Sequence, residues 1–593
     1  MKRFSSEKMF KEVMGVFTRF PVTLVLIIMC AVWELYTKDF FFNITPLDIV
    51  FRLGMILIII AQLAYEQFFV YQSESLLGNN QKNENKVTKT AMRWILQAAA
   101  LILTGLYLLY LYNSHQVVDD TWNIYSIPGI RTMILFFTII VLLLWIPTVK
   151  TKRPFSETFL VAFKAFFSTL FFAVILYIGI SAIFALFEFL FFQIMFDWTE
   201  YVSIFVFSLF APIFFLILLG QGPLAEDPVE EASMPKFLYH LISYIWVPIM
   251  AILTFIIVLY ITSNITGDFF QDNILETLIL SYTIIGWILL ILSGTIHNQS
   301  AQWFKRIFPY ALIFVIVLQM ISTFIQIQEV GVTHGRYLIL LFGAGTVISA
   351  VYYLLKKQSL KWLPIVAIIS GIIAFVPPFD AMSLSVNQQV EKLNELMTEH
   401  EMLDATGEVV KNDKVPPEDQ RTILNTLDYL SSISALNQVS WLPEDYYFFT
   451  AEFLGFEPEY HYDEESVPDH YGTVYLEDTA EPITISDFDQ FIDVSMQSDT
   501  EEGTQTFEVG NQSMTASLET DRLIIELSDD HSDEPVTFDF SDVLEDFKDT
   551  DSAELPIDEL TFVKEVDDQQ VQIVVKNLFI SKFDVTIDFY VMY

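Results

Sequence analysis

Ala374–Gln389 reads AFVPPFDAMSLSVNQQ. Before Pro377-Pro378 the chain is dominated by long apolar runs; after it the apolar positions thin to helical spacing and acidic residues multiply. The charge changes at the same point. Residues 1–377 hold 23 Lys+Arg and 22 Asp+Glu, whereas residues 378–593 hold 9 Lys+Arg and 51 Asp+Glu, so the formal net charge of −41 belongs almost wholly to the tail. A segment of that size matches one large or two small domains. A polyanion of this kind repels nucleic acid and anionic membrane surfaces, which excludes nucleic-acid partners.

Working back towards the N-terminus, the runs long enough to cross a bilayer (about 20 residues) fall near 18–36, 48–70, 92–112, 130–149, 159–188, 200–220, 237–262, 274–293, 307–326, 336–355 and 362–377. That predicts about eleven spans, the fifth long enough to be tilted or broken near Gly179. The first follows Lys2, Arg3, Lys8, Lys11 and Arg19. It is too long for a signal-peptide core and is followed by no A-x-A site, so an uncleaved span is expected. Basic residues mark cytoplasmic loops. Lys82, Lys86, Lys89 and Arg93, then Lys150, Lys152 and Arg153, then Lys236, Lys305 and Arg306, and Lys356, Lys357 and Lys361 occupy alternate loops. The intervening loops offer only Lys38, Arg131 and Arg336. With an odd span count this puts the N-terminus in the cytoplasm and the acidic tail outside. The expected domains are a transmembrane domain over 1–377, a helical linker or hairpin over 378–440 and an acidic, β-rich extracytoplasmic domain over 441–593.

Within the tail, Val390, Leu393, Leu396 and Met397 lie at helical spacing, and so do Ile423, Leu424, Leu427, Leu430 and Ile433 after Pro416-Pro417. From about residue 470 the period moves towards two. Strands are expected over Thr473–Leu476, Ile483–Ile485, Thr515–Leu518, Leu523–Leu527, Val536–Phe540, Val571–Val575 and Phe583–Val591. The fold class is therefore a polytopic α-helical membrane bundle followed by an α+β soluble domain with a mainly antiparallel sheet.

Ile325–Tyr337 reads IQIQEVGVTHGRY and joins two predicted spans. Gly331, Thr333 and Arg336 fit an aromatic-Gly-x-Thr-x-x-Arg pattern, with Val330 standing where an aromatic residue is usual. This loop, with the helical VNQQVEKLNELMTEHEMLDATGEVV segment after the last run, resembles the DUF4153 family of bacterial polytopic membrane proteins, in its Firmicutes-type form with a C-terminal soluble domain. The resemblance is best over 300–593. It implies architecture and a bacterial envelope setting, and it carries no reaction. In physical terms Gly331 suits a turn with positive φ and Thr333 a helix cap.

Ionisable residues inside spans are costly and therefore candidates for function. Glu34, Asp48, Arg52, Arg131, Glu188 and Arg336 fall towards the outer side and form a candidate outer polar pocket. Asp48 and Arg52 are spaced to pair within one helix. Glu66 and His240 fall towards the inner side. In the tail, His461, Asp463, Glu464, Glu465, Asp469 and His470 share one loop, and Asp529, Asp530, His531, Asp533 and Glu534 another. Neither has EF-hand or zinc-protease spacing, so no metal, cofactor or catalytic residue is expected. The single cysteine, Cys30, allows no internal disulfide.

Three functions fit this outline: an envelope protein that binds, senses or scaffolds; a transporter or permease subunit; and a membrane-embedded glycosyltransferase-like enzyme using Asp39, Asp119 and Asp120. The expected partners are the lipid bilayer and envelope or wall components, cations or another membrane protein.

Overall fold

The structure is a computed structural model. It describes residues 6–37, 45–71, 86–114, 123–149, 153–191, 198–219, 233–264, 274–403, 409–412, 414–442 and 454–456, and, from 472 to 592, ten strands with Ile557 and Leu560. The chain divides into two compact units, Met1–Pro458 and Glu459–Tyr593.

The first unit is helical. Its helices are α1 (Ser6–Arg19), α2 (Pro21–Thr37), α3 (Pro46–Tyr65), α4 (Lys86–Asn113), α5 (Ile127–Trp145) and α6 (Phe155–Leu190). Then follow α7 (Trp198–Leu218) and α8 (Lys236–Asn264), α9 (Ile274–Ser293), α10 (Gln299–Val330), α11 (His334–Leu355), α12 (Leu363–Phe375), α13 (Ala381–Glu399) and α14 (Pro417–Ser432). Among the described residues nine helices, α3 to α11, are long and apolar enough to cross a membrane. Residues Val13–Arg19 and Pro21–Thr37, bent by 98° to one another, pass the same test only when taken together, making ten if they form one broken span rather than a re-entrant loop, and α12 is a shorter apolar helix. The chain is thus a multi-pass membrane protein. Of the two alternatives for the fifth run, tilt or a break near Gly179, the break does not occur: α6 runs unbroken for 36 residues.

The helices form where their termini are chemically satisfied. Thr45 and Asp48 build a reciprocal capping box at the start of α3, with Pro46 in the first turn. Ser126, Asn298, Thr333 and Asp380 cap α5, α10, α11 and α13 with their side chains. Three π-helical turns, Glu66–Tyr71, Ile204–Phe210 and Ile242–Trp246, widen the helices locally; the second packs against α2.

One apolar core joins α6, α8, α9, α10 and α11 through residues such as Leu160, Tyr282, Phe308 and Tyr353. Another joins α3, α4 and α5 through Leu53, Leu111 and Ile139. A third belongs to the tail helices. Met382, Val386, Leu393 and Met397 of α13 and Ile423, Leu427 and Leu430 of α14 bury together with Ile130 and Ile134 of α5 and Ala374 of α12. The α13–α14 hairpin is therefore part of the helical unit, sharing a core with the ends of its spans. Close approach inside the bundle depends on glycine at Gly371, where an added Cβ would lie 2.0 Å from Thr138 Oγ1.

The second unit holds strands β1 (Gly472–Leu476), β2 (Phe491–Gln497), β3 (Thr504–Val509), β4 (Gln512–Leu518), β5 (Arg522–Ser528), β6 (Val536–Asp539), β7 (Ala553–Leu555), β8 (Thr561–Val566), β9 (Gln569–Ile580) and β10 (Val585–Met592). One sheet runs β2-β10-β9-β1-β7, and β8 also pairs with β9. All its pairings are antiparallel except β1 with β7. The other sheet is the antiparallel meander β3-β4-β5-β6. Alternation in β10 buries Ile587, Phe589 and Val591. The expected strand over Ile483–Ile485 lies outside the described residues.

Candidate functional site

The stretch Ala374–Gln389 builds a junction between the spans and the tail helices. Val376 to Asp380 leads from the end of α12 into the cap of α13. Asp380 is fully buried. Its Oδ2 accepts from Arg131 Nε at 2.8 Å and from the Ser383 amide at 3.3 Å. The Arg131 guanidinium also donates to Ser383 Oγ at 2.9 Å and Tyr110 Oη at 3.0 Å. A charge pair this deep is tolerated only when the remaining donors are satisfied, and here each arm of the guanidinium has an oxygen.

Further along, at Gln388 and Gln389, the same helix meets the Gly331–Arg336 loop. Val332 donates its amide to Gln388 Oε1 at 2.6 Å and its carbonyl accepts from Gln389 Nε2 at 3.1 Å. Gly331 adopts φ +93°, ψ 176°, and a Cβ there would sit 2.8 Å from Gln389 Nε2. That backbone region is open essentially to glycine alone. Thr333 Oγ1 accepts from the Arg336 amide at 3.4 Å, and Arg336 Nη1 donates back to the Gly331 carbonyl at 3.2 Å. The His334 ring stacks on Tyr429 of α14, and the His334 amide lies 3.0 Å from the Tyr429 hydroxyl. Burial pushes the Tyr429 pKa up, which keeps the hydroxyl protonated. Tyr337 Oη donates to the Phe379 carbonyl at 2.7 Å. The loop is a clamp: one side caps α11, the other grips α13 and α14.

A second polar group sits where α2 meets the start of α3. Glu34 is buried, and its Oε1 accepts from Arg52 Nη2 at 3.0 Å and lies 3.5 Å from Cys30 Sγ. Asp48 does not pair with Arg52 as their spacing suggested. Its Oδ2 accepts from the Thr45 amide at 2.9 Å and the Thr45 hydroxyl at 2.6 Å, because a cap one turn away competes better than a partner one turn on. Arg52 and Cys30 line a cavity of about 580 Å³ bounded by α2, α3, α5, α6 and α7, whose other walls include Ile59, Leu143, Phe163 and Phe207.

A third group ties the opposite end of α3. Glu66 accepts from both Arg19 Nε at 2.7 Å and Arg19 Nη2 at 2.6 Å, and from Gln62 at 2.8 Å. Arg93 and Gln97 of α4 join through Gln62 Oε1. Asp48 and Glu66 are eighteen residues apart, about 27 Å along a helix, close to the hydrocarbon thickness of about 30 Å.

Of the six residues expected in one outer pocket, the structure brings Glu34, Asp48 and Arg52 together. Arg131 goes to Asp380 and Arg336 to the clamp, where it lies within electrostatic reach of Glu276. Glu188 stands two residues before the end of α6. His240 is exposed, its Nδ1 2.6 Å from the Lys236 carbonyl. Sequence reading missed Asp380, Gln388, Gln389 and Tyr429 as partners; Asp380, a lone carboxylate just after the break in character, was the available signal. Asp39, Asp119, Asp120 and both acidic His-containing loops of the tail lie outside the described residues.

A family model described as a domain of unknown function, DUF4153, matches residues 93–406, just over half of the chain. The match takes in α4 to α13 and so reaches further towards the N-terminus than the resemblance over 300–593, and it stops short of the β unit. Comparison with curated proteins and with solved structures gives no match.

Proposed function

The chain belongs to the DUF4153 family, and from that premise we propose that it is a bacterial envelope protein that binds or senses at its outer face. In this reading it has eleven spans, a cytoplasmic N-terminus and an extracytoplasmic acidic domain over 441–593. The observation that carries the reading is the junction. A tail that was merely tethered would need only a flexible linker. Here its first residues are buried against α5 through Arg131–Asp380, and its second helix holds the start of α11 through Tyr429. Such a joint transmits a ligand-induced preference from one side of the membrane to the bundle, provided the ligand distinguishes two states.

The same contacts support the span count. The chain leaves α11 at Leu355, yet by Phe379 it is hydrogen-bonded to Tyr337 at the other end of α11. It has therefore travelled back along α11, with α12 packed on α5 and α11. The starts of α5 and α11 and the tail share one face, which needs an even number of crossings between them, and α5 to α10 supply six. The basic loops fall on the opposite face.

The cavity favours a second reading, a permease for an apolar or amphiphilic substrate, because its walls are almost wholly apolar.

Sidedness tests the first reading. In a Cys30→Ala background, Ser532→Cys is exposed to a membrane-impermeant maleimide on intact cells. Labelling is expected without lysis. Labelling only after lysis would place the acidic domain in the cytoplasm and remove the outer-face reading.

A further inference from the structure

We propose that Cys30, Glu34 and Asp48 form a binding site for a divalent metal ion of the zinc class, set between α2 and the first turn of α3. Cys30 and Glu34 are one helical turn apart and share a face of α2. Asp48 is presented to them by the Thr45 capping box. One donor atom from each of the three residues lies within 4.8 Å of the others, and all three side chains are buried, at 1, 1 and 2% exposure.

Two independent features ask for a cation. Glu34 Oε2 and Asp48 Oδ1 are buried and find no hydrogen-bond partner among the described residues. Orphaned carboxylate oxygens at this depth are expensive. The charges also fail to close: with a thiol at Cys30, two carboxylates face one guanidinium, leaving a net −1 inside a membrane protein. A divalent ion held by a thiolate and two carboxylates brings the sum, with Arg52, to zero.

The donor set selects the metal. Calcium and magnesium take oxygen ligands only. Thiolate with carboxylates suits a borderline ion such as Zn²⁺, which binds three protein ligands and keeps a fourth position for water or another ligand. Cys30 and Arg52 both line the cavity, so the site lies beside it. Thr45, by orienting Asp48, is a positioning residue of the kind whose loss costs about 10- to 100-fold in metal affinity.

The test uses the purified full chain in detergent, with Co²⁺ as probe. The acidic tail will bind cations weakly, so stoichiometry alone is insufficient. Cys30 is the sole cysteine, however, so any thiolate-to-cobalt absorption band reports this site alone. The expected result is one such band, saturating at one Co²⁺ per chain, displaced by Zn²⁺ and untouched by Mg²⁺. It should vanish in Cys30→Ser and need at least about tenfold more Co²⁺ in Asp48→Asn or Thr45→Ala. Wild-type protein that gives no thiolate band overturns the proposal, and a proton shared between the carboxylates then accounts for the charge. Should the variants fail to fold, protection of wild-type Cys30 from a small thiol reagent by Zn²⁺ but not Mg²⁺ decides the matter. Equal reactivity with and without Zn²⁺ overturns it.

Discussion

Replacing Arg131 with Ala should loosen the junction. The substitution removes three hydrogen bonds, to Asp380, Ser383 and Tyr110. It leaves the fully buried Asp380 carboxylate with the Ser383 amide as its one remaining contact among those described, while its Oδ1 is already without a partner. Breaking a buried pair from one side costs about 3–5 kcal/mol. If the loss is confined to the junction, amide hydrogen exchange in Ala381–Glu399 should accelerate by between about 10²- and 4 × 10³-fold, at about 1.4 kcal/mol per tenfold. Exchange in α9 and α10, which belong to a different core, should stay unchanged. Asp380→Ala should have a similar effect, to which the lost helix cap adds about 1 kcal/mol. The double variant leaves no orphaned charge and should cost less than the two singles together, by about 0.5–3 kcal/mol. Acceleration below about threefold in Arg131→Ala, or strict additivity in the double variant, would refute the argument that this pair fastens the tail to the spans.

Gly331→Ala forces an alanine into φ +93° and its Cβ against Gln389, so the clamp should lose about 1–3 kcal/mol, seen as earlier proteolysis between α13 and α14. Gly371→Ala places a methyl 2.0 Å from Thr138 Oγ1 and should lower the melting temperature in detergent, through overpacking of about 1–3 kcal/mol; an unchanged melting temperature would mean that α12 does not pack on α5 as described. Glu66→Gln should cost about 1.5–3 kcal/mol by weakening the two charged hydrogen bonds from Arg19, with the loss read from exchange in α1.

The spans were readable because hydrophobicity over twenty residues is a coarse signal that packing does not override. Gly331 and Thr333 were readable because turns and caps are local chemistry. Arg131 was singled out as a costly charge, but its partner lies 249 residues away, and nothing in one sequence encodes that meeting. Asp48 and Arg52 show the opposite failure: a local rule predicted their pairing, and a stronger local rule, the capping box with Thr45, took Asp48 away. In the β unit, β10 was legible from clean alternation. Strand β2 was missed although Ile492, Val494 and Met496 alternate with Asp493, Ser495 and Gln497 as cleanly as the residues of β10 do, whereas in β3 only Phe507 and Val509 mark an apolar face, too short a signal for a strand.

Helix α6 has a consequence for the membrane rather than for the protein. At 1.5 Å per residue its 36 residues extend about 54 Å, against a hydrocarbon layer of about 30 Å. Its outer face is almost continuously apolar, from Phe166 and Phe171 through Ile178 to Phe189 and Leu190. The surplus length has to be absorbed by tilt, by a local thickening of the lipid or by a partner covering the excess. The chain therefore carries a preference for bilayer thickness of its own, and its melting temperature should climb through a series of vesicles of increasing acyl length before it levels off.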